Sequence, residues 1–309
     1  MQIKNFLWLL LLAAMWGPSF LFIKVAVRDV PPFTLACTRV GVAAIILYII
    51  LRLSKRRMPA FGPIWKHFAF IGLVSSAVPF TLFSWGEIYI DSALASILNG
   101  TTPLFTIVIA HMFTKDDRLS SAKIIGSIIG FGGLVLLVAP SFWGGVKATT
   151  WGLLAVTGAA FCYGISVVYT RLYLLGLPKL VAPTAQLGVA AVYLLPLSLI
   201  FEQPFSLPMP SPESLGSMLA LAILGSVLAY IVYYDLIERV SASYISMVTY
   251  LVPIFGVILG IVVLDERLTW NAYIGCAFIL LGVMVVNGLL TFKIPFTKSK
   301  LVKEKPVDL

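Results

Sequence analysis

Three charged residues stand inside long apolar stretches of this sequence, where an ionised side chain is costly. Lys24, Arg39 and Glu87 each lie within a run of mainly apolar residues. On the mildest insertion scale, a charge at the centre of a membrane costs about 2.5–3.5 kcal/mol. At 1.5 Å per residue, Arg39 lies about 10 Å into a helix that begins near Pro32. Pairing Lys24 or Arg39 with Glu87 would offset part of this cost, and the carboxylate of a bound molecule would suit Arg39 as well.

Polar and aromatic side chains recur at helical spacing in six of the apolar runs. Residues three, four or seven apart share one side of a helix, so each set forms a stripe. A stripe of this kind fits a water-filled cavity, but small hydroxyls also join helices and aromatic rings also fill space between them. With Arg39, the residues that we expect to line a substrate cavity are Trp16, Ser19, Ser76, Phe80, Ser96, Asn99, Thr102, Tyr163, Ser166, Tyr230, Tyr233, Ser246 and Tyr250.

The segment from Asn99 to Pro103 combines an amide, two threonines and a proline in the middle of an apolar run. Proline has no backbone N–H, so the carbonyl one helical turn earlier loses its usual donor. Inside a membrane such a carbonyl needs another partner. We expect a substrate or a water molecule to use it.

A second set of charged residues marks the ends of the runs. Each basic residue has an acidic neighbour near the same predicted membrane face, so the two pairs would close opposite mouths of one pathway. The alternative is that the long side chains only reach towards lipid headgroups. The residues that we expect to act in gating are Lys24, Glu87, Arg171 and Asp235.

No constellation in the sequence indicates catalysis. His67 and His111 lack metal-ligand spacing, and the chain contains no HExxH, P-loop or GxSxG motif. We therefore expect no enzyme activity, no metal and no cofactor. The two acidic-acidic-Arg-Leu motifs are read as structural, because Ser120 and Thr269 follow them as good helix N-caps.

The elements that must position these residues are ten apolar runs of membrane length. The chain has 309 residues, of which 60% are hydrophobic and 11% charged, whereas an ordinary soluble domain has about 25% charged residues. About 20 apolar residues span a bilayer as a helix. We therefore predict an all-α polytopic membrane protein with ten transmembrane helices. The runs are 5–26, 33–53, 67–89, 92–114, 121–139, 150–171, 181–201, 214–237, 241–264 and 270–290.

The two halves of the chain repeat one another. The segment 116–120, Asp-Asp-Arg-Leu-Ser, returns at 265–269 as Asp-Glu-Arg-Leu-Thr, and each follows a run with a proline at its middle. Five crossings per half is an odd number, so the second half enters the membrane upside down. Inverted repeats of this kind are typical of secondary transporters. The predicted division is 1–140 for the first five-helix repeat, 150–290 for the inverted repeat and 291–309 for a basic cytoplasmic tail.

The basic residues are distributed unevenly between the two predicted membrane faces. The net charge is +9, and 17 of the 22 lysines and arginines fall on one side if the N-terminus is inside. This bias follows the positive-inside rule, which places both termini in the cytoplasm. It favours membrane lipid over nucleic acid as the partner of the basic tail. The prediction is a multi-pass protein of the inner (plasma) membrane.

Several motifs carry a resemblance to a known family. They are Trp16-Gly17 followed by Lys24, Gly86-Glu87 followed by Ser92, the segment 98–105 (Leu-Asn-Gly-Thr-Thr-Pro-Leu-Phe) and the paired acidic-acidic-Arg-Leu motifs. With these motifs, the chain resembles the EamA-type members of the drug/metabolite transporter superfamily. The resemblance implies ten helices, two inverted EamA repeats and export of small metabolites. The chain departs from the family pattern at Pro18, which directly follows Trp-Gly.

The resulting hypothesis is an alternating-access exporter of small organic metabolites, with amino acids ranked first. A carboxylate suits Arg39 and Lys24, and an apolar side chain suits the aromatic walls. The alternatives are a polytopic membrane enzyme and a non-transporting signalling or scaffold protein. Gly126 and Gly130 permit close helix packing, either within the chain or in a homodimer.

Overall fold

The computed structural model describes residues 3–113, 120–142, 147–178, 180–237 and 248–286. Within these ranges the chain forms helices and no strand, and eight helices are long and apolar enough to cross a membrane. Two shorter apolar helices complete the predicted ten. The helices are α1 (Ile3–Trp16 and Pro18–Ala26), α2 (Pro32–Leu53), α3 (Ile64–Gly72, Leu73–Ala77 and Val78–Tyr89), α4 (Ser92–Asn99 and Thr102–Phe113), α5 (Ser121–Val138), α6 (Ala148–Tyr173), α7 (Val181–Leu197 and Ser198–Glu202), α8 (Pro212–Ala222, Ile223–Leu228 and Ala229–Ile237), α9 (Val248–Leu264) and α10 (Trp270–Val286).

The all-α, ten-helix prediction is confirmed. Ile45, Val192 and Val262 are 62%, 69% and 75% exposed, as expected for side chains that face lipid. Some sequence predictions fall outside the described residues: Ser246, the side chain of Tyr250, the first acidic motif at 116–119 and the tail at 291–309.

Two helices are interrupted where proline removes a backbone donor. α1 breaks at Gly17, directly before Pro18, and α4 breaks between Asn99 and Thr102, directly before Pro103. Because proline cannot donate to the carbonyl four residues earlier, each break leaves a polar backbone group near the middle of a membrane helix.

Two further helices contain a π-helical segment at matching positions of the two repeats. α3 is π-helical over Leu73–Ala77, and α8 is π-helical over Ile223–Leu228. A π-turn shifts the hydrogen-bond ladder from i−4 to i−5, and such turns often occur at functional sites. Both π-segments carry a buried serine, Ser76 and Ser226.

The contacts between helix ends show that the repeats are inverted. The ammonium of Lys24, near the end of α1, donates to the carbonyl oxygen of Ile90 after the end of α3, at 2.7 Å. A Cβ built on Gly152, at the start of α6, would lie 2.9 Å from the carbonyl oxygen of Gly86 near the same end of α3. Thus α1 ends at the face where its repeat partner α6 begins. We call this the Lys24 face and the opposite one, where α6 ends at Arg171, the Arg171 face.

The pair formed by α2 and α7 gives the same result. The carboxylate of Glu202, at the end of α7, accepts from the backbone N–H of Phe33 at 2.9 Å and of Thr34 at 2.6 Å, at the start of α2. α7 therefore ends where its repeat partner α2 begins. The architecture is two inverted five-helix repeats, as predicted.

Glycines bring α5 and α10 into backbone contact at the edge of the bundle. A Cβ on Gly126 would lie 2.6 Å from the carbonyl oxygen of Gly282, and a Cβ on Gly133 would lie 2.7 Å from that of Gly275. α5 and α10 pack mainly against each other. Gly130 packs on Leu104 of α4. The Gly126–Gly130 surface is therefore filled within the chain, which is the intramolecular alternative of the two left open by the sequence.

Candidate substrate cavity

A cavity of about 520 Å³ lies between the two repeats, within the range of small-molecule sites. It is walled mainly by α1, α2, α3, α4, α6 and α8. Most of the stripe residues lie on its wall, and their use in substrate binding stays a prediction. The predicted residues found there are Trp16, Ser19, Arg39, Phe80, Asn99, Thr102, Tyr163, Ser166, Tyr230 and Tyr233.

The cavity reaches the Arg171 face and stops short of the Lys24 face. Exposed Ser120 and Arg171 contribute to its wall at one end. At the other end Ile23 and the aromatic pair Phe20 and Phe83, whose ring centroids are 5.5 Å apart in an edge-to-face contact, form a roof. Among the residues that the structure describes, the cavity is therefore open at the Arg171 face and closed at the Lys24 face.

Two of the predicted lining residues face other helices instead. Ser96 points at α9, where Gly256 has no side chain, and its hydroxyl donates to the carbonyl of Ala93 at 2.8 Å. Ser76 lies behind the cavity wall, fully buried, and accepts from Gln186 at 2.9 Å. Spacing along one helix predicts which residues form a stripe. The packing of the neighbouring helix decides which part of that stripe faces the cavity.

Arg39 is a buried cation on the cavity wall. It is 6% exposed, and its guanidinium carbon lies 3.9 Å from the centroid of the Phe80 ring. Its Nε donates to the hydroxyl of Ser226 at 3.0 Å, and one terminal nitrogen donates to the carbonyl of Gly225 at 3.3 Å. These two hydrogen bonds use two of the five N–H donors of the guanidinium. No acidic side chain within the described ranges forms an ion pair with it.

Gln186 is the inverted-repeat counterpart of Arg39, and it repeats the same kind of contact. Arg39 on α2 holds the π-segment of α8, while Gln186 on α7 holds the π-segment of α3. The Gln186 amide nitrogen lies 2.9 Å from the hydroxyl of Ser76 and 3.2 Å from that of Ser75. It also lies 2.9 Å from the hydroxyl of Tyr230 on α8. Sequence reasoning missed Gln186 as a site residue. The signal was present, because the same four residues, Gly-Val-Ala-Ala, stand at 41–44 and 188–191 and begin two positions after Arg39 and Gln186.

The proline break in α4 arranges the polar groups of Asn99 and Thr102. The carbonyl of Asn99 has lost its donor to Pro103, and the hydroxyl of Thr102 donates to it at 2.8 Å. The chain itself therefore uses one of the two acceptor positions of this carbonyl, and use of the other by a ligand stays a prediction. The side-chain oxygen of Asn99, by contrast, is buried on the cavity wall and has no hydrogen-bond partner among the residues that the structure describes.

The four predicted gating residues lie near the two faces, in different settings. Lys24 donates to the carbonyl oxygens of Glu87 and Ile90, at 2.7 Å each, and not to the Glu87 carboxylate. Arg171 lies on the wall of the central cavity, whereas Asp235 lines a second cavity of about 360 Å³ beside Trp8. The gating role of all four stays a prediction.

Three carboxylates join the two repeats at the Lys24 face. Glu202 caps the start of α2, as described above. Glu266 accepts from the backbone N–H of Ser92 at 2.8 Å and of Ala93 at 2.9 Å, at the start of α4. A carboxylate at a helix N-terminus satisfies free N–H groups and opposes the positive end of the helix dipole. The structure confirms Ser120 as an N-cap. The sequence predicts a structural role for the motif that contains Glu266, but it does not predict that Glu266 caps a helix of the other repeat.

The third carboxylate is Asp29, in the connection between α1 and α2. It accepts from the hydroxyls of Ser211 and Ser214 and from the backbone N–H of Ser211, at the start of α8. The side-chain hydrogen bond from Ser211, followed by that from Ser214, lowers the pKa of the Asp29 carboxyl below its ordinary value. Together, Asp29, Glu202 and Glu266 form what we call the carboxylate clasps.

The sequence pattern of the EamA-like transporter family matches residues 3–139 and 150–288, which is most of both repeats. The chain belongs to this family. Its apolar helices and its similarity to an inner membrane transporter of Escherichia coli identify it as a multi-pass inner-membrane protein. The family and the named relatives are transporters, not enzymes.

Three relatives match this EamA-like transporter over most of their length. The uncharacterised transporter YoaV of Bacillus subtilis strain 168 is 25% identical over 288 residues, which cover 92% of this chain and 97% of YoaV. The uncharacterised inner membrane transporter YedA of Escherichia coli K12 is 26% identical over 276 residues, 88% of this chain and 87% of YedA. A probable terminal-alkyne amino-acid exporter of Streptantibioticus cattleyicolor is 25% identical over 289 residues, 93% and 95% of the two chains.

A solved crystal structure shares the fold. It superposes on this transporter with a TM-score of 0.65 at 19% sequence identity, covering 94% of this chain and 99% of the other.

Proposed function

We propose that this EamA-like transporter exports small organic metabolites that carry a carboxylate, amino acids first among them, by alternating access. The observation that carries the proposal is the guanidinium of Arg39. It is a buried cation on the cavity wall, and no acid in the described part of the chain forms an ion pair with it. A guanidinium presents paired donors that match a carboxylate. A substrate carboxylate would therefore supply the missing counter-charge.

The rest of the wall suits the other parts of an amino acid. The side-chain oxygen of Asn99 is an unused acceptor, which fits a substrate ammonium. Trp16 and Tyr233 pack with ring centroids 5.6 Å apart, and Phe83 and Tyr163 lie 5.8 Å apart. These aromatic surfaces favour an apolar or aromatic substrate side chain.

The orientation in the membrane follows from the basic residues. Arg52, Lys55, Arg56 and Lys66 lie in or beside the connection between α2 and α3, at the Arg171 face. The positive-inside rule assigns this face to the cytoplasm. The cavity then opens to the cytoplasm in this structure, which is the loading state of an exporter. The carboxylate clasps and Lys24 would close the external mouth.

The similarity to a protein named as a probable terminal-alkyne amino-acid exporter supports the substrate class. At 25% identity it supports amino acids as a group and not one particular side chain.

The test is efflux from proteoliposomes loaded with a panel of radiolabelled amino acids, each paired with its carboxamide. The unaltered transporter should export an acid in preference to its amide. Arg39→Met keeps most of the side-chain length and removes the charge, so it should abolish this preference. Losing a charge-assisted bidentate hydrogen bond costs about 1.5–3 kcal/mol, or a ten- to hundredfold loss in acid transport.

Lys66→Met, at an exposed site on the same face, is the matched control and should leave the preference intact. If Arg39→Met retains the preference for the acid, or if the unaltered protein exports acids and amides equally, Arg39 is not the carboxylate site.

A further inference from the structure

Glu87 is a buried carboxyl that the substrate cavity does not use. Its side chain is 0% exposed, and neither oxygen has a hydrogen-bond partner among the described residues. It lies one helical turn beyond Phe83, which belongs to the cavity roof. The roof therefore stands between Glu87 and the open Arg171 face.

The charged groups that face Glu87 are Lys24 on α1, Arg39 on α2 and Glu266 in the connection between α9 and α10. None of the three is free to bind the carboxylate. Lys24 donates to the backbone carbonyls of Glu87 and Ile90. Arg39 donates to α8. Glu266 carries the same charge as an ionised Glu87 and is held by backbone N–H groups of α4.

The remaining described neighbours offer no positive charge to this end of α3. α6 presents Gly152, Ala155 and Val156 to Gly86, the residue next to Glu87. Asp91, which precedes α4, is half-buried and faces Lys24 and Glu266, and burial raises the pKa of its carboxyl. Hydrogen bonds to an ionised Glu87 are therefore lacking among the described residues, and the charges of Lys24 and Arg39 act on it only through space.

An ionised carboxylate that is buried without hydrogen bonds is so costly that the group takes up a proton instead. The closed Lys24 face therefore accommodates Glu87 as a neutral carboxylic acid. When this face opens, external water reaches the same side chain and can solvate its ionised form.

We propose that Glu87 is a proton-binding site that controls the external mouth: the Lys24 face closes after Glu87 takes up one proton from external water. The proton passes from hydronium to a carboxylate oxygen as that face closes and returns to external water as it opens. No other bond changes. This inference rests on alternating access and on the proposed orientation, but not on the identity of the substrate.

The proton dependence has a definite sign. Only the closed conformation holds the proton, so acid outside favours closure and alkali favours opening. For one proton, the ratio of open to closed transporter changes by at most about tenfold per pH unit.

The experiment measures opening of the Lys24 face without substrate. In intact cells, a single reporter cysteine at Ala26, which is fully buried near the end of α1, is reacted with a membrane-impermeant thiol reagent. Cys37, Cys162 and Cys276 are first replaced by alanine. Each rate is divided by that of a cysteine at exposed Ser206, which corrects for the pH dependence of thiol chemistry. External pH is varied between about 5 and about 9, a range that extends well above the ordinary pKa of a glutamate carboxyl.

The normalised rate should rise with pH in the chain that retains Glu87. Glu87→Gln imitates the protonated acid, so its rate should be low and independent of pH. Asp91→Asn, which removes a neighbouring carboxyl, is the matched control and should keep the rising profile. A flat profile with Glu87 present, an unchanged profile in Glu87→Gln or a flat profile in Asp91→Asn would each overturn the proposal.

A spectroscopic measurement covers the case in which Glu87→Gln does not fold. The otherwise unaltered chain with isotope-labelled glutamate should show, at neutral pH, an infrared carbonyl band of a protonated glutamic acid. Absence of that band overturns the proposal. Because neither measurement uses a transported substrate, a failure of the amino-acid assignment would appear only in the efflux assay.

Discussion

At the scale of single residues, the central site depends on one position where the two repeats have diverged. Arg39 and Gln186 hold matching π-segments, but only Arg39 carries a charge. A symmetric cavity with two arginines would place two cations between the repeats without a counter-charge. One arginine and one glutamine keep both helix anchors and leave one cation at this pair of positions. In the function that we propose, Arg39 is the subsite for the substrate carboxylate.

Gln186→Leu is expected to destabilise the protein, because it removes a hydrogen-bond donor from buried hydroxyls of neighbouring helices. The substitution removes the donor for Ser76 and Tyr230 and keeps a side chain of similar volume. Leaving a buried polar group without a partner costs about 1–3 kcal/mol. The measurement is thermal unfolding in detergent.

Tyr193→Phe is the control, because that hydroxyl makes a long 3.4 Å contact to the carbonyl of Ala69. Equal melting temperatures for Gln186→Leu and the unaltered protein would show that the amide does not stabilise the π-segment of α3.

At the scale of helices, the ends of one repeat are capped by carboxylates of the other. Glu266 and Glu202 each bind two backbone N–H groups at the start of a helix, α4 and α2 respectively. We expect these caps to break when the Lys24 face opens, because each joins one repeat to the other. They would then stabilise the closed face without stabilising either repeat alone.

Glu266→Gln should shift the transporter towards opening at the Lys24 face. The amide oxygen can still accept one hydrogen bond, but its NH₂ group faces the second backbone donor and the favourable charge is lost. Loss of a cap costs about 0.5–2 kcal/mol, which predicts an increase in opening of about two- to thirtyfold. Labelling of the cysteine at position 26 measures it.

Glu213→Gln, an exposed acid in the first turn of α8, is the control and should change the labelling little. A Glu266→Gln rate equal to the unaltered one would mean that the clasp does not stabilise the closed face.

At the scale of the whole molecule, inversion of the repeats turns one set of helices into a pathway with two mouths. α5 and α10 support each other at the edge, and the other helices surround the cavity. Because matched helices run in opposite directions, each element at the Lys24 face has a counterpart at the Arg171 face. Closing one face with clasps while the other stays open is the arrangement that alternating access needs.

Cysteine labelling in intact cells should reveal the orientation. Ser206→Cys, between α7 and α8, should react with an impermeant reagent added outside. Lys66→Cys, at the start of α3, should react only after the cells are opened, because the positive-inside rule places it in the cytoplasm. The reverse pattern would invert the assignment of both faces and contradict the loading state proposed for this structure.

The sequence by itself determined the number of helices, their inversion and ten of the residues that line the cavity. These follow from patterns along one chain segment: apolar length, helical spacing and the five-run repeat. Only the tertiary structure decided where the polar groups find their partners. Ser76 accepts from Gln186, and Glu266 accepts from the backbone N–H of Ser92 in the other repeat. Both contacts join residues that are distant in sequence. They depend on the rotation and separation of the helices, which hydropathy and residue spacing do not reveal.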